Sequence, residues 1–115
     1  MSSAEFQPLS VNVEQGPSGR VLNAAGEIDT LTAPELRSRV EQSLPAAGEV
    51  LVIDLSGVTF LSSAGLSVLA WAHQEADTAG GTVRIVTSAG TARVFELTGL
   101  AETLNLFGSL TEARG

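Results

Sequence analysis

The chain has no cysteine and no lysine. The first absence removes disulfides, thiolate metal sites and thiol chemistry together. The second bears on nucleic acids, because affinity for a phosphate backbone is built from clustered Lys and Arg. Six basic residues, Arg20, Arg37, Arg39, Arg84, Arg93 and Arg114, stand against thirteen acidic ones, for a net charge of −7. They are dispersed, so nucleic acid is not an expected partner. Arg37 and Arg39 fall on one expected helix, where they either help to dock a partner or only solubilise its surface. No stretch approaches eighteen successive apolar residues, so no membrane span is expected. The opening M-S-S-A-E-F-Q lacks the basic-then-apolar order of a secretory signal, and a cytoplasmic location is the expectation.

What is present suffices for one domain. With 115 residues, of which 43% are hydrophobic, the chain can bury a core without crosslinks. Leu9, Val11 and Val13 alternate with polar residues, residues 14–20 have turn composition, and residues 21–25 resume an extended apolar segment, so an edge hairpin is predicted. Thr32-Ala33-Pro34-Glu35 fits a capping box, opening a helix to about Leu44 that buries Leu36, Val40 and Leu44. A third strand is predicted over residues 50–55, followed by a loop over 56–61 and a helix over about 63–79. A fourth strand follows over 82–87 and a helix over about 91–97, with Gly99 as its left-handed end. Leu104, Leu106 and Phe107 suggest a short strand, followed by a brief helix from Ser109. Strand and helix alternating from residue 20 to 87 imply parallel strands joined by right-handed crossovers, with the opening strand added at one edge. The expected fold class is α/β: one domain over residues 1–115, a small mixed, mostly parallel sheet of four or five strands and about four helices.

The most informative stretch is D-L-S-G-V-T-F-L-S-S-A-G-L, from Asp54 to Leu66. The continuous run Val50, Leu51, Val52, Ile53 is that of a strand covered on both faces. Beyond it, Ser62 and Ser63 fall at a helix start, where backbone N–H groups are unpaired and the helix dipole is positive. Such a place suits an N-cap and equally suits a phosphate. Loops beyond the carboxyl ends of strands are where working surfaces gather in open sheets of this kind. Two such loops stand out: the one leading to Ser63, and Gly26-Glu27-Ile28-Asp29-Thr30.

Catalytic apparatus is lacking. The lone histidine, His73, lies ten residues along the helix from Ser63, about 15 Å at 1.5 Å per residue, far beyond hydrogen-bond reach. S-S-A-G lacks the glycine of a nucleophile elbow, and Gly80-Gly81 is followed by Thr82 where a phosphate-binding loop needs a lysine. Glu27, Asp29 and Asp54 have no metal-ligand spacing. Trp71 is read as core, or alternatively as an exposed interface anchor. A binding module that is itself modified fits these residues better than an enzyme, and no cofactor is expected.

Three motifs in order, G-E-I-D-T-L-T-A-P-E-L from Gly26 to Leu36, the Asp54 to Leu66 run, and L-T-G-L from Leu97 to Leu100, are similar to those of the STAS domain of bacterial anti-anti-sigma factors, also called anti-sigma factor antagonists. The resemblance extends from about Leu9 to Arg114. It implies that Ser63 is the phosphorylated serine of the family, with Ser62 as second choice, and that Asp29 matches the acidic residue of the neighbouring loop. Ser62 stands where the family usually has aspartate, and Ala64 where it has a second Ser or Thr. The implied partner surface comprises Asp29, Thr30, Ser62, Ser63, Ala64, Gly65 and Leu66. The implied partners are an anti-sigma factor serine kinase of the GHKL ATPase type, which supplies ATP and magnesium, and a PP2C-type phosphatase that resets Ser63. The protein itself is then a monomer or weak dimer without enzymatic activity. Ser62 in place of aspartate keeps a second expectation open, that of a non-phosphorylated adaptor subunit in a transporter or signalling complex.

Overall fold

A computed structural model describes residues 9–16 and 19–114. The opening segment read for a signal, and the tip of the hairpin turn, lie outside the described residues. The sheet has five strands in sequential order: β1 (Ser10–Gly16), β2 (Gly19–Ile28), β3 (Val50–Leu61), β4 (Thr82–Val86) and β5 (Asn105–Phe107). β1 runs antiparallel to β2, and every later pair is parallel. Between strands lie the helices α1 (Ala33–Ser43), α2 (Ser63–Ala79) and α3 (Ala89–Thr98), with α4 (Leu110–Arg114) closing the described chain.

A parallel sheet that advances one strand at a time, through crossovers of one hand, places its connecting helices on one face. Accordingly, Leu36 and Val40 of α1, Leu69, Ala72 and Ala76 of α2, and Phe95 of α3 pack with Leu22, Leu51, Ile53, Val83 and Ile85 of the sheet in a single core. The other face holds a smaller cluster, Val21, Val52 and Val86, covered by Ala113 of α4. Both faces of central strand β3 are therefore apolar, as its unbroken run of large residues predicts.

Four local expectations are corrected. Residues 56–61 are not a loop: β3 continues to Leu61, pairing with β2 through two register shifts, between Asn23 and Ala25 and between Gly26 and Glu27. The bulged pairing admits Gly57 where little else fits, since a Cβ there would lie 2.9 Å from the Ala25 Cβ. The same extension makes Gly26 to Ile28 strand, so the loop before α1 starts only at Asp29. The Thr32–Glu35 capping box does not form: Thr32 has helical φ/ψ and makes no side-chain cap bond, its hydroxyl being used elsewhere. A capping box does form at α3, between Ser88 and Thr91, so that helix starts at Ala89, two residues earlier than its composition suggests. Gly99 ends it at φ 80° as expected.

Arg37 and Arg39 have structural duties. The Arg37 guanidinium stacks 4.0 Å from the centre of the half-buried Trp71 ring, tying α1 to α2. Arg39 donates a 3.1 Å hydrogen bond to the Val11 carbonyl of β1.

Candidate functional site

The parallel register makes Ile28 and Leu61, the last residues of β2 and β3, neighbours. The chain leaves both strands at one end of the sheet, and the Ser62 amide donates to the Ile28 carbonyl at 2.8 Å. The start of α2 is pressed onto these strand ends. A Cβ on Gly65 would lie 2.5 Å from the Leu61 Cδ1 and 2.6 Å from the Ile28 Cγ2, so only glycine lets the helix approach this closely.

Asp29 organises the neighbouring loop. Its Oδ1 accepts hydrogen bonds from the Leu31 amide at 2.9 Å and the Thr32 amide at 3.0 Å, and from the Thr32 hydroxyl at 3.1 Å. The Thr32 hydroxyl also accepts from the Asp29 amide and is placed 2.9 Å from the Glu27 carbonyl as a possible donor. A hydroxyl has one proton, so it serves either the carboxylate or that carbonyl at a given moment. The Thr32 amide is the chief reason the Asp29 carboxyl lies below the usual carboxylate range; partial burial opposes the shift, and the Thr32 hydroxyl and Leu31 amide add to it. The carboxylate thus acts as the cap expected of Thr32, and Asp29 holds the loop in shape.

The two serines differ in environment. Ser62 is the N-cap of α2: its backbone is extended, it is half-buried, and its Oγ accepts a long 3.4 Å bond from the Gly65 amide. Ser63 is the first helical residue and is exposed. One turn on, the Ser67 hydroxyl donates to the Ser63 carbonyl at 3.1 Å, leaving the Ser63 side chain itself without a hydrogen bond among the described residues. Thr30 is exposed and Ala64 half-buried. Gly65 and Leu66, expected within the partner surface, are buried, and Leu66 is only 7% exposed. They lie beneath the surface and offer little contact area.

Two apolar residues at this end of the sheet were missed in the sequence. Leu31 is 85% exposed at the crest of the Asp29 loop, and Phe60, the residue before Leu61, is 51% exposed. The aspartate two residues before Leu31 signals a turn, since an Asp side chain accepts from the amide two residues on, as Asp29 does from Leu31; the exposure of the Leu31 side chain had no signal of its own. Phe60 carried no such signal while residues 56–61 were read as a loop. His73 is half-buried on α2 and distant in sequence from both serines. Among the described residues no three His, Cys, Asp or Glu side chains converge as a metal site would require.

Residues 10–113 match the STAS domain family, and the chain belongs to it. Among curated relatives, the anti-sigma-F factor antagonist RsfB of Mycobacterium tuberculosis is 33% identical over 105 residues, covering 91% of this chain and 86% of its own. The anti-sigma-B factor antagonist of Bacillus subtilis is 31% identical over 99 residues, covering 85% of this chain and 90% of its own. Among solved structures, an anti-sigma factor antagonist from Mycobacterium paratuberculosis superposes with a TM-score of 0.82 at 35% identity, over 91% of this chain and 90% of that one.

Proposed function

We propose that this chain is an anti-sigma factor antagonist that works by partner switching. Unmodified, it binds an anti-sigma factor of the serine-kinase type through the exposed residues around Ser63 and so frees a sigma factor. Phosphorylation of Ser63 ends that binding, and a separate PP2C-type phosphatase restores it. The protein acts in the cytoplasm as a binding partner, with nucleotide and magnesium belonging to the kinase.

The observation that carries this reading is the exposed, unengaged hydroxyl of Ser63 at the first position of α2, beside a loop shaped by Asp29. The names of the relatives support the partner class. Ser62 in place of aspartate is consistent with it, because serine and aspartate are both strong N-caps and Ser62 does cap the helix.

Magnitudes favour release over unfolding. A phosphoserine brings a charge of about −1.5 to −2 into a surface that must be desolvated for docking. One like-charge contact at about 4 Å costs about 4 kcal/mol at an effective dielectric of 20, and each 1.4 kcal/mol is tenfold in affinity. Within the free protein the same phosphate gains about 0.3–2 kcal/mol from the N-terminus of α2. The test is intact-mass analysis and peptide mapping after incubation with ATP, with and without a kinase-type anti-sigma factor from the same organism. One phosphate on Ser63, added only when the kinase is present, is expected. A phosphate confined to Ser62, or none, contradicts the assignment.

A further inference from the structure

The second face of the sheet divides into an apolar and a polar half. In one cross-strand row, Asn12 neighbours Asn23, Asn23 neighbours Asp54, Asp54 neighbours Val86 and Val86 neighbours Phe107. α4 covers the apolar end of this row through Leu110 and Ala113. The polar end stays open as a cleft of about 240 Å³ whose lining includes Ser10, Asn12, Asn23, Asp54 and Ser56. This is room for several waters or for one small organic solute.

Asp54 is only 8% exposed, yet its carboxylate is incompletely satisfied. Its Oδ1 accepts from the Ser56 amide at 2.9 Å, while its Oδ2 has no hydrogen-bond donor among the described residues. No side-chain N or O atom among those residues is both sealed from solvent and without a partner, so Oδ2 opens onto the cleft. No arginine lines the cleft, and the single histidine sits on α2, across the sheet. A carboxylate placed this deeply, without a counter-charge, calls for donors or a cation from outside. The cleft supplies further acceptors beside it. Asn23 gives its amide nitrogen to the Asn12 Oδ1 at 3.0 Å, which leaves its own Oδ1 free to accept, and the Ser10 and Ser56 hydroxyls are also acceptors.

We propose that this cleft binds a small organic cation bearing N–H donors, an alkylammonium or a guanidinium, with Asp54 as its counter-ion and Asn23 as a second acceptor. The site lies on the face of the sheet opposite α2, and its occupancy does not require the Ser63 switch. The test is a titration of the full chain, followed by ¹H–¹⁵N correlation spectra, with methylguanidinium and with methylammonium. Saturable shifts are expected at the Asn12 and Asn23 side-chain amides and at the Ser56 backbone amide. Tetramethylammonium, equally charged but without N–H donors, should leave them in place. Asp54→Asn should weaken binding at least tenfold. Because that change also touches the hydrogen bond from the Ser56 amide, Asn23→Ala serves as a second variant, with a several-fold loss expected in a chain whose other resonances stay put. Shifts that fail to saturate, that tetramethylammonium reproduces, or that persist with unchanged affinity in both variants overturn the proposal.

Discussion

Adjacent serines with the same hydroxyl carry different duties because one lies half-buried before the helix and the other exposed within it. Ser62→Ala removes an N-cap and should lower unfolding stability by about 0.5–2 kcal/mol, measured by denaturant titration. Ser63→Ala, which breaks no side-chain bond, should stay within about 0.5 kcal/mol of the parent. Equal losses at the two positions would contradict the division. Asp29 adds a pH dependence of definite sign. Its carboxyl is lowered in the folded chain relative to an unfolded value of about 4, so its contribution is present above that value and is lost as pH falls through the lowered one. The stability gap between the parent and Asp29→Ala should therefore be constant near neutrality and close below about pH 4. Leu31 is the residue at this scale that deserves a binding measurement of its own, since its 85% exposure means that truncation removes no core contact. Leu31→Ala should leave the melting temperature within about 1 °C of the parent and, under the proposed function, weaken the anti-sigma factor complex about tenfold, the effect of no longer burying an exposed leucine side chain on docking.

At the scale of elements, the site exists because α2 is seated on the ends of β2 and β3, with Gly65 at the contact. Gly65→Ala gains about 1 kcal/mol in helix propensity but overfills the contact with Leu61 and Ile28, at a cost of about 1–3 kcal/mol. Net destabilisation is expected in thermal melts, together with weaker partner binding, because the shift is transmitted to Ser62 and Ser63. The elements themselves were largely legible. The continuous apolar run of β3, the proline at the start of α1 and the glycines after α2 all acted in the sense that local chemistry dictates. Thr32 and residues 56–61 did not. The Thr32 hydroxyl could serve its own helix or the Asp29 turn, and only the approach of β2 to α1 decides between them. Residues 56–61 carry turn-like Ser and Gly, and their strand character comes from bulged pairing with β2, a tertiary contact that no local pattern encodes. The exposure of Leu31 and the burial of Leu66 are set by tertiary packing, which the motif does not encode; it therefore grouped the buried Gly65 and Leu66 with the exposed Thr30 and Ser63.

Across the whole molecule, a charge of −7 with no lysine means that a phosphate enters an already negative chain. Its effect is nonetheless local, because exposed charges more than about 8 Å apart are largely screened at physiological salt. The core around Leu22, Ile53, Leu69 and Phe95 lies beneath the site and is expected to be unchanged by the modification. The fold then serves as a rigid mount, and the switch resides in what the surface around Ser63 presents to a partner. The most direct test is the dissociation constant of the kinase-type anti-sigma factor complex, measured by calorimetry with unmodified chain and with chain stoichiometrically phosphorylated at Ser63. The account predicts at least a hundredfold weaker binding of the phosphorylated form, with superimposable thermal melts of the two free forms. Equal affinity of the two forms, or weakening that accompanies loss of the folded baseline, would contradict it.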